Sequence, residues 1–323
     1  MKKLALLTIF CTLATGTMAA PQDGWNEAIR VFKGEKIDGV NGFRIPAITS
    51  TGNRNLVAVA DYRFKNKDWN TDMGPSKENP APYFVVKTSN DGEKTWSNYR
   101  SIKEEIQKQL VEQGIDKDKY ENILQGPGSG LTYNGIVYVP IQMFNEGNDW
   151  GGNFTSTSGF IYSDDNGKSW KVVTLEGILP QGDKPENTVS TSESNLFYHN
   201  GKICLAAKIE NGAGNPEYKG KRVVFTYDNG KWERLEEDFL PDDMAKCETS
   251  SLSLSEQVYL VGYSADVNGN RTNSYITTNT GRTIKILDGE TYGYTSMHKM
   301  RIIYMFFLKQ NKDRQILIRE DTI

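Results

Sequence analysis

Short apolar runs rich in Val, Ile, Tyr and Phe, each cut off by Asn, Asp or Gly, set the pattern of this chain. Residues 57–60, 83–87, 136–141, 160–162, 203–207, 223–226 and 258–262 are such runs, and their length and punctuation predict β-strands. One stretch keeps a different period. Ile102, Ile106 and Leu110 recur every four residues and Gly114 ends the series, which predicts an amphipathic helix inserted between sheet units near 101–113. The rest of the chain reads as all-β.

A repeat organises the strands. Ser89-Asn90-Asp91-Gly92-Glu93-Lys94-Thr95-Trp96 returns as Ser163-Asp164-Asp165-Asn166-Gly167-Lys168-Ser169-Trp170. A shortened copy runs Thr226-Tyr227-Asp228-Asn229-Gly230-Lys231-Trp232, and a worn one Thr277-Thr278-Asn279-Thr280-Gly281-Arg282-Thr283-Ile284. Each lies between two strand signals, so each predicts a hairpin turn. Asn-Gly and Asp-Gly supply the positive φ, the Asp bonds nearby amides, and the closing Trp or Ile packs between sheets. These segments resemble the Asp box of sialidase-type propellers. With copies about 50–75 residues apart, the resemblance implies a six-bladed β-propeller of four-stranded blades. It implies fold rather than chemistry, because the box is structural and occurs in non-enzymes.

Lys2 and Lys3 precede an apolar run, residues 4–16, too short to cross a bilayer, and Thr17 and Ala19 suit cleavage after Ala19. Residues 1–19 are read as an export signal, leaving 20–323 as one domain in the periplasm, at the cell surface or outside the cell. Phe10 before Cys11 argues against lipidation. The formal charge of −3 falls to about −5 without Lys2 and Lys3, which does not favour nucleic acid as a partner. No later stretch is apolar enough for a membrane span. Cys204 and Cys247 remain, and a disulfide between them and two free thiols both stay open. The two histidines offer no metal cluster, and no metal or cofactor is expected.

The chemistry begins at Phe43-Arg44-Ile45-Pro46, an arginine among residues with a buried character. The tetrapeptide resembles the FRIP motif of bacterial exo-sialidases, whose arginine is the first of three that bind the substrate carboxylate. A guanidinium fork matches a carboxylate in two parallel bonds. Downstream, Asp61-Tyr62-Arg63 and Lys67-Asp68-Trp69 resemble the family's next segment. The resemblance gives Arg63 contacts to the sugar ring and Asp68, 24 residues past Arg44, the general acid, with Asp72 in reserve. Gly126-Pro127-Gly128-Ser129-Gly130, ahead of Pro140 and Gln142, resembles the second-blade segment. Its glycines are read as turn residues that confirm the register. Thr191-Ser192-Glu193-Ser194, ahead of a hairpin turning at Asn200-Gly201, resembles the Glu segment. Arg271 resembles the third arginine, and Tyr292-Gly293-Tyr294-Thr295-Ser296 the nucleophile segment, giving Tyr294.

The resemblance therefore implies a retaining exo-sialidase acting on terminal sialic acids of glycoproteins, gangliosides or oligosaccharides. Tyr294 would attack, Glu193 would take its proton, and Asp68 would act as acid and then base. Sialidases are the stated exception to the carboxylate nucleophile of most retaining glycosidases. The anomeric carbon of sialic acid bears a carboxylate, which repels Asp or Glu but not a neutral phenol.

Two departures stand out. Where the family places its second arginine, about fifteen residues after the Glu, this chain has Lys208. A lysine keeps the charge and loses the fork. Arg222 is a substitute, though it precedes the third repeat copy and is read as facing that turn. After Ser296 the family pattern gives way: His298-Lys299-Met300-Arg301 stands where a turn belongs, and Leu308 near where a supporting carboxylate belongs. Residues 298–323 are either a divergent final blade or a frameshifted end. Hydrolysis and transfer to another hydroxyl share every residue named, and a catalytically impaired glycan-binding propeller is the remaining alternative.

Overall fold

The computed structural model describes residues 31–32, 40–52, 54–64, 83–92, 94–116, 119–120, 122–144, 155–182, 188–211, 222–235, 251–254, 257–265, 271–280, 283–287, 292–300, 303–310 and 314–319. All belong to the unit Val31–Ile323; the expected export signal falls in the other unit, Met1–Arg30, outside the described residues.

Five antiparallel sheets follow one another among these residues. The first holds β1 (Val40–Gly52), β2 (Asn55–Phe64), β3 (Tyr83–Ser89) and β4 (Arg100–Ser101). After helix α1 (Lys103–Glu112) comes the second, with β5 (Asn122–Gln125), β6 (Leu131–Tyr133), β7 (Ile136–Phe144), β8 (Ser156–Ser163) and β9 (Lys171–Thr174). The third is β10 (Ser190–His199), β11 (Lys202–Asn211), β12 (Arg222–Asp228) and β13 (Lys231–Arg234). The fourth is β14 (Ser251–Leu254), β15 (Gln257–Ala265), β16 (Arg271–Thr278) and β17 (Thr283–Leu287). The fifth is β18 (Tyr292–Met300), β19 (Ile303–Gln310) and β20 (Arg314–Arg319). All seven apolar runs lie in strands, and the helix stands where the four-residue period placed it.

Each sheet packs against the next, so strands in the middle of the series bury both faces. Along β11, Ile203, Leu205, Ala207 and Ile209 enter the core shared with the second sheet, while Cys204 and Ala206 enter the one shared with the fourth. Successive side chains of a strand point to opposite faces, which is why these strands read as unbroken apolar runs. Between the first two sheets Val57, Val59, Phe84 and Val86 meet Val137, Ile141 and Ile161. Helix α1 adds Ile106 and Leu110 to that core. It also covers the outer edge of β9: Gln109 Nε2 donates to Trp170 O, Val172 N donates to Gln109 Oε1, and Trp170 N donates to Glu105 Oε1. A sheet edge is closed by side-chain amides and a carboxylate.

The repeats form the expected turns. Thr95 N and its hydroxyl, with the Ser89 hydroxyl, donate to Asp91; Ser169 N and hydroxyl, Lys168 N and the Ser163 hydroxyl donate to Asp165. The Thr95 hydroxyl, with the Thr95 amide, holds the Asp91 carboxyl down at about 2. Burial raises Asp165, but the bonds from Ser169, Ser163 and Lys168 outweigh it and bring that carboxyl to about 2 as well. Trp170 closes the core between the first two sheets, and Trp232 spans from the third to the second, its Nε1 donating to Thr174 O. In the worn copy the Asp is replaced by Asn279, whose side chain accepts from Val258 N on β15.

At the C-terminal end His298 and Lys299 pair with Met305 and Tyr304 and continue β18, whose pairing with β19 runs to Met300 and Ile303. The strands β18, β19 and β20 pair in that order as a three-stranded sheet.

Candidate functional site

In the first four sheets the turns after β1, β6, β10 and β14 lie at the same end as the turn before the last strand, so the first strand of each begins at the other end. In the three-stranded fifth, β18 likewise begins opposite its turn to β19, and the β19–β20 connection lies at the end where β18 begins. The repeat turns between β3 and β4, β8 and β9, β12 and β13, and β16 and β17 close the former end. Arg44, Arg63, Glu193, Lys208, Arg271 and Tyr294 all stand at the latter, in β1, β2, β10, β11, β16 and β18. The hairpin architecture thus separates the bracing turns from every described candidate. Asp68 and Asp72, in the chain between β2 and β3, lie outside the described residues.

Two candidates sit in the same backbone device, and a third stands next to one. In β1 the register jumps between the pairs Arg44↔Asp61 and Ala47↔Val59, so that Ile45 and Pro46 oppose Ala60 alone. In β10 it jumps between Thr191↔Ile209 and Ser194↔Ala207, setting Ser192 and Glu193 against Lys208. In β18 it jumps between Tyr292↔Gln310 and Thr295↔Leu308, setting Gly293 and Tyr294 against Lys309. A β-bulge turns a side chain out of the regular alternation, and bulges gather beside active sites for that reason. Lys309 was not picked out from the sequence; its place became visible only once β18 and β19 were paired.

The third-sheet bulge brings two candidates into contact. Lys208 Nζ donates to Glu193 Oε2 at 3.3 Å, with side-chain exposures of 16% and 13%. The second sheet holds the bulge. Ser158 on β8 donates its hydroxyl to Ser192 O at 2.5 Å and its N–H to Thr191 Oγ1 at 2.9 Å. Ser129 N donates to Asn195 Oδ1 at 2.7 Å, and Leu196 N to Ser129 O at 2.9 Å. Ser190, Thr191, Ser192, Ser194 and Asn195 are all buried, an unusual run of polar residues for a core strand.

Two sequence expectations are corrected here. Arg222 does not face the third repeat turn: it begins β12, pairs with Lys208, and is buried at the end of the sheet that carries Glu193. The glycines at 126, 128 and 130 are not among those with positive φ, so no left-handed turn conformation requires them. A Cβ on Gly128 would lie 2.2 Å from both Ser194 O and Asn195 Oδ1, and one on Gly130 2.7 Å from Tyr138 O. Glycine is required for close approach of backbone, not for conformation.

Asp61 is fully buried, pairs in register with Arg44, and accepts Gln125 N at 3.0 Å, tying the first sheet to the second beside Arg44. Among the described residues no group of three acidic, His or Cys side chains suits a metal ion, and no helix is long and apolar enough to cross a membrane. Cys204 is a buried free thiol, pushed up to about 12 by burial; Cys247 lies outside the described residues.

The sequence matches the family model described as a BNR repeat-like domain over residues 10–177. No curated protein matches it significantly. Among solved structures, a Hadza microbial sialidase aligns at a TM-score of 0.61 with 16% identity, covering 86% of this chain and 52% of that one. A Trypanosoma rangeli sialidase in complex with 2,3-difluorosialic acid, a covalent intermediate, aligns at 0.58 with 17% identity, over 86% of this chain and 44% of that one. The intramolecular trans-sialidase from Ruminococcus gnavus, in complex with oseltamivir carboxylate, aligns at 0.52 with 13% identity, over 86% and 75%. This chain spans about half the length of the first two. The likeness is one of fold: antiparallel sheets arranged as in sialidase propellers.

Proposed function

The chain belongs to the family of BNR repeat-like domains, and from that membership we propose that it is an exported exo-α-sialidase built as a six-bladed propeller. The observation that carries this reading is the Glu193–Lys208 pair in a β-bulge, at the end of the sheet where Arg44, Arg63, Arg271 and Tyr294 also stand in their own sheets. In this reading Arg44, Lys208 and Arg271 bind the carboxylate of sialic acid and Arg63 the ring substituents. The Tyr294 oxygen attacks the anomeric carbon as Glu193 takes the phenol proton. The bond to the leaving oxygen breaks, and Asp68 protonates that oxygen. Asp68 then takes a proton from water, whose oxygen displaces Tyr294, and the phenolate recovers its proton from Glu193. The net result is hydrolysis with retention. The family's fold is shared by enzymes that transfer as well as hydrolyse, and terminal sialosides are the substrate class in either case.

The test is covalent trapping. A sialoside with fluorine beside the anomeric carbon and a good leaving group slows the second step more than the first, so the glycosyl-enzyme accumulates. Peptide mass analysis is expected to find the sugar on the peptide containing Tyr294, and Tyr294→Phe to remove it. A label on Tyr292 corrects the register and keeps the mechanism. Turnover without a label on either tyrosine refutes it. A second reading, a propeller that binds sialylated glycans without cleaving them, rests on Lys208 in place of a fork-shaped arginine, and binding without turnover establishes it.

A further inference from the structure

The inner strand of the second sheet is broken. Both β5 and β6 pair with β7, β5 along 141–144 and β6 along 136–138, and residues 126–130 leave the sheet between them. Gly126 N still reaches Pro140 O at 2.8 Å, but Ser129 has turned its bonds outward. Its N–H goes to Asn195 Oδ1 and its carbonyl accepts Leu196 N, both on β10, while its hydroxyl accepts Ser251 N on β14 at 3.1 Å. Gly128 is buried with no room for a Cβ against Ser194 and Asn195. Glu193 is the residue immediately before that pair.

We propose that Gly128, Ser129 and Asn195 form a strut that positions Glu193, fixing where the bulge holds its carboxylate. The argument rests on the reading of Glu193 as the proton acceptor for Tyr294. A carboxylate in a bulge lacks the ladder bonds that set the position of a regular strand residue, so its place must come from neighbouring chain. Here Ser158 holds the bulge at Ser192, and the strut holds it at Ser194 and Asn195. The backbone approach at Gly128 makes the strut rigid, because nothing flexible lies between the two chains. The residues are positioning residues; none needs to touch substrate.

Three variants test this on a fluorogenic sialoside, with kcat and KM measured separately and folding checked by thermal melting. Gly128→Ala drives a methyl group into β10 and is expected to lower kcat about 100-fold, the effect of displacing a reacting group by about 1 Å. Asn195→Ala removes the acceptor for Ser129 N and is expected to lower kcat about tenfold, with KM within about twofold of wild type for both variants. Ser253→Ala is the control. Ser253 makes two bonds to Tyr198 at the other end of β10, so its loss lowers stability and is expected to leave kcat unchanged. A folded Asn195→Ala with wild-type kcat overturns the proposal, and so does a Ser253→Ala that loses as much kcat as Asn195→Ala. Crystal structures of Gly128→Ala and Asn195→Ala are expected to show the Glu193–Lys208 separation widened beyond 3.3 Å. If the wild-type protein turns over no sialoside, the sialidase reading fails and the catalytic role of the strut fails with it. The positional claim is then decided by that separation alone, and an unchanged pair overturns it.

Discussion

Lys208 meets Glu193 because a bulge sets two residues of β10 against one of β11, so the lysine proposed to stand in for a fork-shaped cation is also the immediate neighbour of the carboxylate. Both side chains are mostly withdrawn from water, where the loss of one charge leaves the other poorly solvated. Lys208→Met is expected to destabilise the fold by about 1–3 kcal/mol, read from urea midpoints. Lys208→Arg restores a two-pronged donor and is expected to tighten binding of unsaturated sialic acid about fivefold to tenfold by calorimetry. Unchanged affinity together with a severe loss in Arg222→Ala assigns the second cation to Arg222, which pairs with Lys208 in the sheet.

Asp68 is tested through the leaving group. Asp68→Asn removes the proposed proton donor, which natural sialosides would need and nitrophenyl or fluorogenic ones hardly would. Its kcat/KM is expected to fall about 100-fold or more on a natural sialoside and no more than a few-fold on an activated one. Equal losses on both transfer the role to Asp72 or point to structural damage.

The repeat turns make an acid-range prediction. The Asp165 carboxyl lies at about 2 in the folded chain against 3.8 unperturbed, so its stabilising effect is complete above the unfolded value and is lost as pH falls through the folded one. The stability gap between wild type and Asp165→Asn is expected to be constant from neutral pH down to about 5, then to close between about pH 4 and pH 2. Denaturant midpoints at each pH measure it. A gap independent of pH throughout that range assigns the effect to shape rather than charge.

Cys204 is expected to resist alkylation in the native protein. Burial raises its thiol to about 12, so the reactive thiolate is scarce at pH 8 and reagent has no path to it. Mass analysis after iodoacetamide treatment should find the Cys204 peptide unmodified until denaturant is added. Native labelling at a rate typical of free thiols contradicts the burial.

The sequence by itself determined the strands whose two faces are both buried, because burial on both sides leaves an unbroken apolar run such as 203–207. It determined the helix through its four-residue period, and the repeat turns through Asp, Asn and Gly, whose backbone preferences act within a few residues. The candidate residues were legible as motifs in chain order. Tertiary structure alone decided the rest. The stretch Ser190-Thr191-Ser192-Glu193-Ser194-Asn195 is not among the apolar runs that predict strands, yet it is the buried inner strand of the third sheet, since its polar groups find partners such as Ser158 and Ser129 from the second. No local pattern announces partners more than thirty residues away. The bulges that set Glu193 against Lys208 and Tyr294 against Lys309 are properties of strand pairing, and no single strand carries them. Gly128 likewise read as a turn residue, because the backbone that forbids a side chain there belongs to another sheet.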